Sequence, residues 1–296
     1  MNSILKDLKE NKRGGASFSI MMFSFVAFNL IVSVFLTIIK VQGLLLNCLS
    51  ALSILFSAGF MLIVFSKLEQ ENKPLSHYKT KFNPVFIVLS VLLSLTLIFG
   101  FGFINGLVEL LFNSLGVSSP KAEPITTFSD YILYTVFLAL IPAVSEELVF
   151  RGIVLENVKG SKACALVLSS LCFALYHCSI LKFFYQFICG IAIGALYLKT
   201  KNLILPTITH FFNNFIIINF TYFNVSVNLF NPLYIILGLV LFSVLAFFIC
   251  RGVFNKDKTE SAERESFGVA TKEFFIPYGL VGVLIAIVLM IGGIFL

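Results

Sequence analysis

The chain of 296 residues is 58% hydrophobic and only 12% Asp, Glu, Lys or Arg, about half the charged share of an ordinary soluble domain. With a mean hydropathy of +0.99 and repeated apolar runs of about 18 residues or more, this composition excludes a soluble enzyme and predicts an all-α polytopic membrane protein. The net charge of +6 does not indicate nucleic acid as a partner. The basic residues fall between the apolar runs, where they act as topology signals, and form no patch with interleaved aromatics.

Residues 1–15 are polar and basic, and the apolar run 16–39 is too long for a signal-peptide core, so it predicts a first spanning helix. A tight turn at 40–43 leads to a second span at 44–66. A basic loop with Lys67, Lys73, His77, Lys79 and Lys81 precedes a third at 85–111. The stretch 113–130 is rich in Ser, Pro and Thr and reads as a surface loop. Asp130 is the expected N-cap of a fourth helix that runs to about 158, before Gly160 ends it. Two short spans, 163–178 and 183–198, are followed by 203–220, 234–250 and 276–296. The total is about nine transmembrane helices. They divide into an N-terminal part (1–125) with three helices, a four-helix core (126–222), and a C-terminal part (223–296) with two helices and a charged, flexible loop at 251–273.

All but three of the 21 Lys and Arg residues, namely Lys40, Lys121 and Lys182, fall on the side of the N-terminus. The N-terminus is therefore expected in the cytoplasm and the C-terminus outside. No internal repeat suggests a transporter-style inverted architecture. Gly190 and Gly194 form a GxxxG pair suited to close helix packing. The 35 Phe residues and the absence of Trp suit lipid-facing helices. Cys48, Cys164, Cys172, Cys178, Cys189 and Cys250 lack CxxC spacing and read as small apolar residues rather than disulfide or zinc ligands.

Within this apolar chain one stretch stands out: Ser145-Glu146-Glu147-Leu148-Val149-Phe150-Arg151. A charge at the centre of a membrane helix costs ~2.5–3.5 kcal/mol on the mildest insertion scale, so such groups are paired, face a wet cavity or carry function. Glu109 lies close to an outer end, and the carboxylates placed within the spans are Glu146 and Glu147. Of the three histidines, His77 falls in an inner loop, whereas His177 and His210 lie in apolar helices. The patterns are Glu146-Glu147-x-x-x-Arg151, Phe173-x-x-x-His177 and His210-x-x-x-Asn214, each with an i,i+4 pair on one helix face. Glu147 and Arg151 are expected to pair. Glu146, rotated about 100° from Glu147, is left free. Counted inward from the helix ends, Glu146, His177, His210 and Asn214 lie at depths of ~18, ~22, ~12 and ~18 Å, near the middle of a core ~30 Å thick.

A carboxylate in such a site can serve as general base on water, with His177 holding or sharing that water. His210 and Asn214 are placed to donate to the oxyanion formed when a carbonyl is attacked. Glu147, Arg151 and Phe173 are supporting residues. Glu146, His177 and His210 could instead hold a catalytic zinc with one open position. Alternatively, a non-enzymatic transporter or immunity protein could use the same buried polar groups.

The three motifs, in this order on successive membrane segments, resemble the signature of the CPBP family of intramembrane proteases, which includes the CAAX prenyl endopeptidases and the bacteriocin-processing Abi proteins. The resemblance covers roughly 125–220. It implies an endopeptidase in which Glu146 activates water with help from His177. His210 and Asn214 would form the oxyanion site, and Glu147 and Arg151 would support the structure. It leaves open both a metal-free mechanism and a metalloprotease. Compatible substrates are a prenylated CaaX peptide, a bacteriocin or leader peptide, and an intact membrane protein, reached through a chamber open to the cytoplasm. The Lys-over-Arg bias and the short soluble parts point to a bacterial plasma membrane.

Overall fold

The computed structural model describes residues 13–68, 74–78, 83–117, 124–158, 160–251, 253 and 267–295. The basic N-terminal residues 1–12, parts of the loops expected after the second and third spans, and residues 254–266 of the charged loop lie outside the described residues. Most of those described are helical, with no strand among them. The helices are α1 (Arg13–Ile38), α2 (Gly43–Ser50), α3 (Leu52–Leu68), α4 (Val85–Phe101), α5 (Phe103–Ser114), α6 (Phe128–Tyr134), α7 (Ile141–Val149), α8 (Lys162–Tyr176), α9 (Ile180–Thr200), α10 (Ile204–Tyr222), α11 (Pro232–Cys250), α12 (Phe267–Phe274) and α13 (Leu280–Phe295).

Seven stretches, counting contiguous helices as one, are long and apolar enough to cross a membrane: Gly14–Ile38, Gly43–Lys67, Val85–Ser114, Phe128–Asn157, Ile180–Thr200, Pro232–Cys250 and Phe267–Gly293. The two expected spans missing from this set are α8 and α10. The first has only 15 residues, ~22 Å of helix against a ~30 Å core. The second carries Thr207, Thr209, His210, Asn213, Asn214 and Asn219, which lower its hydropathy. These two helices bear the two candidate histidines, so the elements least suited to lipid are those that hold the polar site.

The alternating direction of the spans is visible in which ends meet. At one end, Lys201 pairs with Glu156 at 2.5 Å, a carboxylate at the inner end of the fourth span, additional to Glu146 and Glu147. At the same end, Lys199 donates to the Arg251 carbonyl, Lys162 to the Val253 carbonyl and Leu203 N to the His77 carbonyl. At the other end, Tyr131 stacks on Tyr222 at 4.6 Å, and a Cβ added at Gly293 would lie 3.9 Å from the Cys178 carbonyl. Among the described residues, Lys162, Lys199, Lys201 and Arg251, all assigned to the N-terminal side, fall at the first end.

Local structure departs from expectation in informative places. The cap of the fourth span is Thr127, not Asp130. The Thr127 hydroxyl accepts from Asp130 N, and the Asp130 carboxylate accepts from Thr127 N, a capping box. This span contains two π-helical turns, Thr135–Leu140 and Phe150–Val154, which flank α7. Pro142 lies in the first turn of α7. It has no N–H and crowds the carbonyl four residues back, and a π turn absorbs that mismatch. Part of the loop expected to be flexible, 267–273, is helix α12, with Ala270 buried against Gly160.

Glycines set the closest helix contacts. Gly190 and Gly194 face α8, where an added Cβ would meet Ser170 and Leu166, in line with the GxxxG expectation. Gly238 of α11 lies so near α4 that an added Cβ would sit 2.4 Å from Gly100 N and 2.9 Å from the Phe99 carbonyl carbon. Backbone cannot yield as a side chain does. Gly238→Ala is therefore expected to cost about 1–3 kcal/mol by overpacking, seen as a lower Tm in detergent. Gly59→Ala, which meets nothing within 4 Å, should leave Tm unchanged or raise it.

Candidate active site

Glu146 and Glu147 sit on consecutive positions of α7, inside the bundle, where they are 4% and 0% exposed. Helical rotation sends them to different neighbours. Glu147 Oε1 accepts from Arg151 Nη1 at 2.9 Å and from His210 Nδ1 at 2.8 Å. The expected ion pair is thus present, and it has a third member that the sequence patterns gave no means of assigning. Arg151 also donates through Nη2 to the Gly190 carbonyl at 3.3 Å. Its guanidinium carbon lies 4.6 Å from the centroid of the Phe173 ring, a cation–π distance. The small residue at 190 brings α9 close to α8, and the same residue supplies a carbonyl to the buried guanidinium.

His177 is the C-cap of α8, where the chain turns through Cys178 in the left-handed region (φ 47). The helix therefore does not continue through Cys178. His177 Nδ1 is 2.8 Å from the Phe173 carbonyl, a bond in which the ring donates. Its Nε2 lies 3.9 Å from Glu146 Oε2. His210 Nε2 lies 4.0 Å from the same oxygen. Both imidazoles thus anchor Nδ1 and turn Nε2 toward Glu146, whose Oε2 makes no hydrogen bond with the protein. The Phe173 ring stands edge-on to both, 4.9 Å from His177 and 5.7 Å from His210. His177 is the most accessible member of the group, with 18% of its side chain exposed.

Asn214 is placed differently from the other members. Its Nδ2 reaches the Leu138 carbonyl at 3.4 Å, the carbonyl that Pro142 has no N–H to satisfy. The neighbouring Asn213 accepts from Tyr185 OH at 2.7 Å. This buried bond ties α9 to α10 one turn from His210. The motif spacing did not draw attention to Asn213 or Tyr185, although a buried Tyr facing an Asn on the histidine's helix is a recognisable kind of pair.

A bound zinc would fix the spacing of its donors. Donors around a tetrahedral zinc with bonds of about 2.0 Å are about 3.3 Å apart. The Glu146-to-His177 and Glu146-to-His210 separations are 3.9 and 4.0 Å. Among the described residues, no group of three or more His, Cys, Asp or Glu side chains has metal-holding geometry. The residues as placed do not fit the ion.

Comparison with known proteins bears on the same segment. Residues 128–216 match the family model described as Rce1-like, the type II CAAX prenyl endopeptidases. No curated protein and no solved structure matches the chain. The matched segment contains Glu146, Glu147, Arg151, Phe173, His177 and His210, which converge in the bundle, and also Asn214. Residues 128–216 of this integral membrane protein are thus similar to the Rce1-like family of type II CAAX prenyl endopeptidases.

Proposed function

We propose that the protein is an intramembrane endopeptidase in which Glu146 is the general base for water. The observation that carries this reading is the convergence of His177 Nε2 and His210 Nε2 on the unbonded Glu146 Oε2, at 3.9 and 4.0 Å. These gaps are too long for direct hydrogen bonds but suit a shared water, since atoms each ~2.8 Å from one oxygen can lie up to about 5.6 Å apart. Glu146 takes a proton from the water as its oxygen attacks the scissile carbonyl carbon, and His177 positions the water. When both its ring nitrogens carry protons, His210, held through Nδ1 by Glu147, offers Nε2–H to the oxyanion. Asn214 has a second amide N–H beyond the one given to Leu138 and can join it. As the C–N bond breaks, Glu146 returns its proton to the leaving amine.

The family makes a prenylated CaaX peptide the first substrate to examine. The basic end of the bundle supports a cytoplasmic approach in a bacterial plasma membrane. The test uses full-length protein in nanodiscs with a fluorescence-quenched farnesylated CaaX peptide, alongside an unlipidated leader-type peptide. Cleavage that persists within twofold after chelation and metal analysis is the expected result. Cleavage lost on chelation and restored by zinc would replace this mechanism with a metal-dependent one. Absence of cleavage in both peptides and in detergent-extracted membrane proteins would favour a non-enzymatic role.

A further inference from the structure

A second link joins the helices that the Glu147–His210 bond connects. After α3 the chain forms a short 3-10 turn, Pro74–His77, held against the turn between α9 and α10. Leu203 N donates to the His77 carbonyl at 2.9 Å, and the His77 ring stands edge-on to Tyr197 at 5.9 Å. The next residue, Tyr78, donates its hydroxyl to the Val144 carbonyl of α7 at 3.3 Å and meets the Thr207 hydroxyl of α10. Val144 is one turn from Glu147 and Thr207 one turn from His210, so both lie near the helix faces that carry the site. Tyr78 is half-buried and electrostatically coupled to Glu147. Burial pushes its phenol up to about 12, so it remains a donor at neutral pH. The segment lies at the end of the bundle that carries Lys162, Lys199 and Lys201.

We propose that Tyr78 covers the basic-end approach to Glu146 and selects substrates by size. A peptide entering from that side has to move the phenol off Val144 before its scissile carbonyl reaches Glu146. This selection role rests on the peptidase reading above.

The test measures kcat and KM in nanodiscs for two quenched farnesylated CaaX peptides, one with Gly and Ala around the cleaved bond and one with Phe and Leu. Tyr78→Ala is expected to raise kcat/KM for the bulky peptide tenfold or more through KM, leaving the small peptide within twofold. Tyr78→Trp is expected to lower the bulky peptide's value by a similar factor, which keeps the test decisive if the alanine variant does not fold. Equal changes for both peptides, or none, in the variants that fold would overturn the proposal. Wild-type cleavage of the small peptide, and its loss in Glu146→Gln, test the underlying peptidase reading separately.

Discussion

Arg151→Leu is expected to destabilise the protein by about 3–5 kcal/mol, because it leaves the Glu147 carboxylate buried without its cation. Arg151 is 1% exposed and has three partners, Glu147, the Gly190 carbonyl and the Phe173 ring, so all three lose a contact with it in the variant. The measurement is Tm and the yield of monodisperse protein in detergent. The double variant Glu147→Leu/Arg151→Leu is expected to recover most of that loss, since a buried ion pair replaced by apolar groups of similar volume is often near neutral. Its activity should not return, because Glu147 also holds His210 Nδ1 at 2.8 Å. A double variant with restored stability and full activity would show that the pair is scaffold alone.

That outcome turns on a contact the sequence could not show. The i,i+4 relation of Glu147 and Arg151 is a property of one helix and can be read from spacing. The bond from His210 joins residues 63 apart in the chain, and nothing local records which of two adjacent glutamates it will choose. The helical architecture was readable because apolar run length carries it. The depths of Glu146, His177 and His210 followed from counting residues along helices, and the three do meet. Asn214 was harder to place, since spacing puts it on the face of His210 while the need of the Leu138 carbonyl beside Pro142 decides its bond. The π turns on either side of α7 were likewise invisible, because Pro142 signals a break without saying how the chain repairs it. The span count fell short at α8 and α10 for a reason tied to function. Helices that line a polar site are less apolar, or shorter, than helices that face lipid.

Glu146→Gln is expected to reduce cleavage by about 10²–10⁴-fold, the range for removing a positioned general base, while the fold survives. The amide is nearly isosteric with the carboxylate. Glu146 Oε2 has no protein hydrogen bond to lose, so Tm should stay level or rise as a buried charge is removed. Glu147→Gln is expected to behave differently, losing stability along with activity, because its carboxylate is bonded to both Arg151 and His210. The most direct measurement is the single-turnover cleavage rate of the quenched peptide by wild type and Glu146→Gln at equal folded concentration in nanodiscs. The account predicts a rate at least a hundredfold lower for the variant with an unchanged Tm. Cleavage by folded Glu146→Gln at the wild-type rate would contradict it.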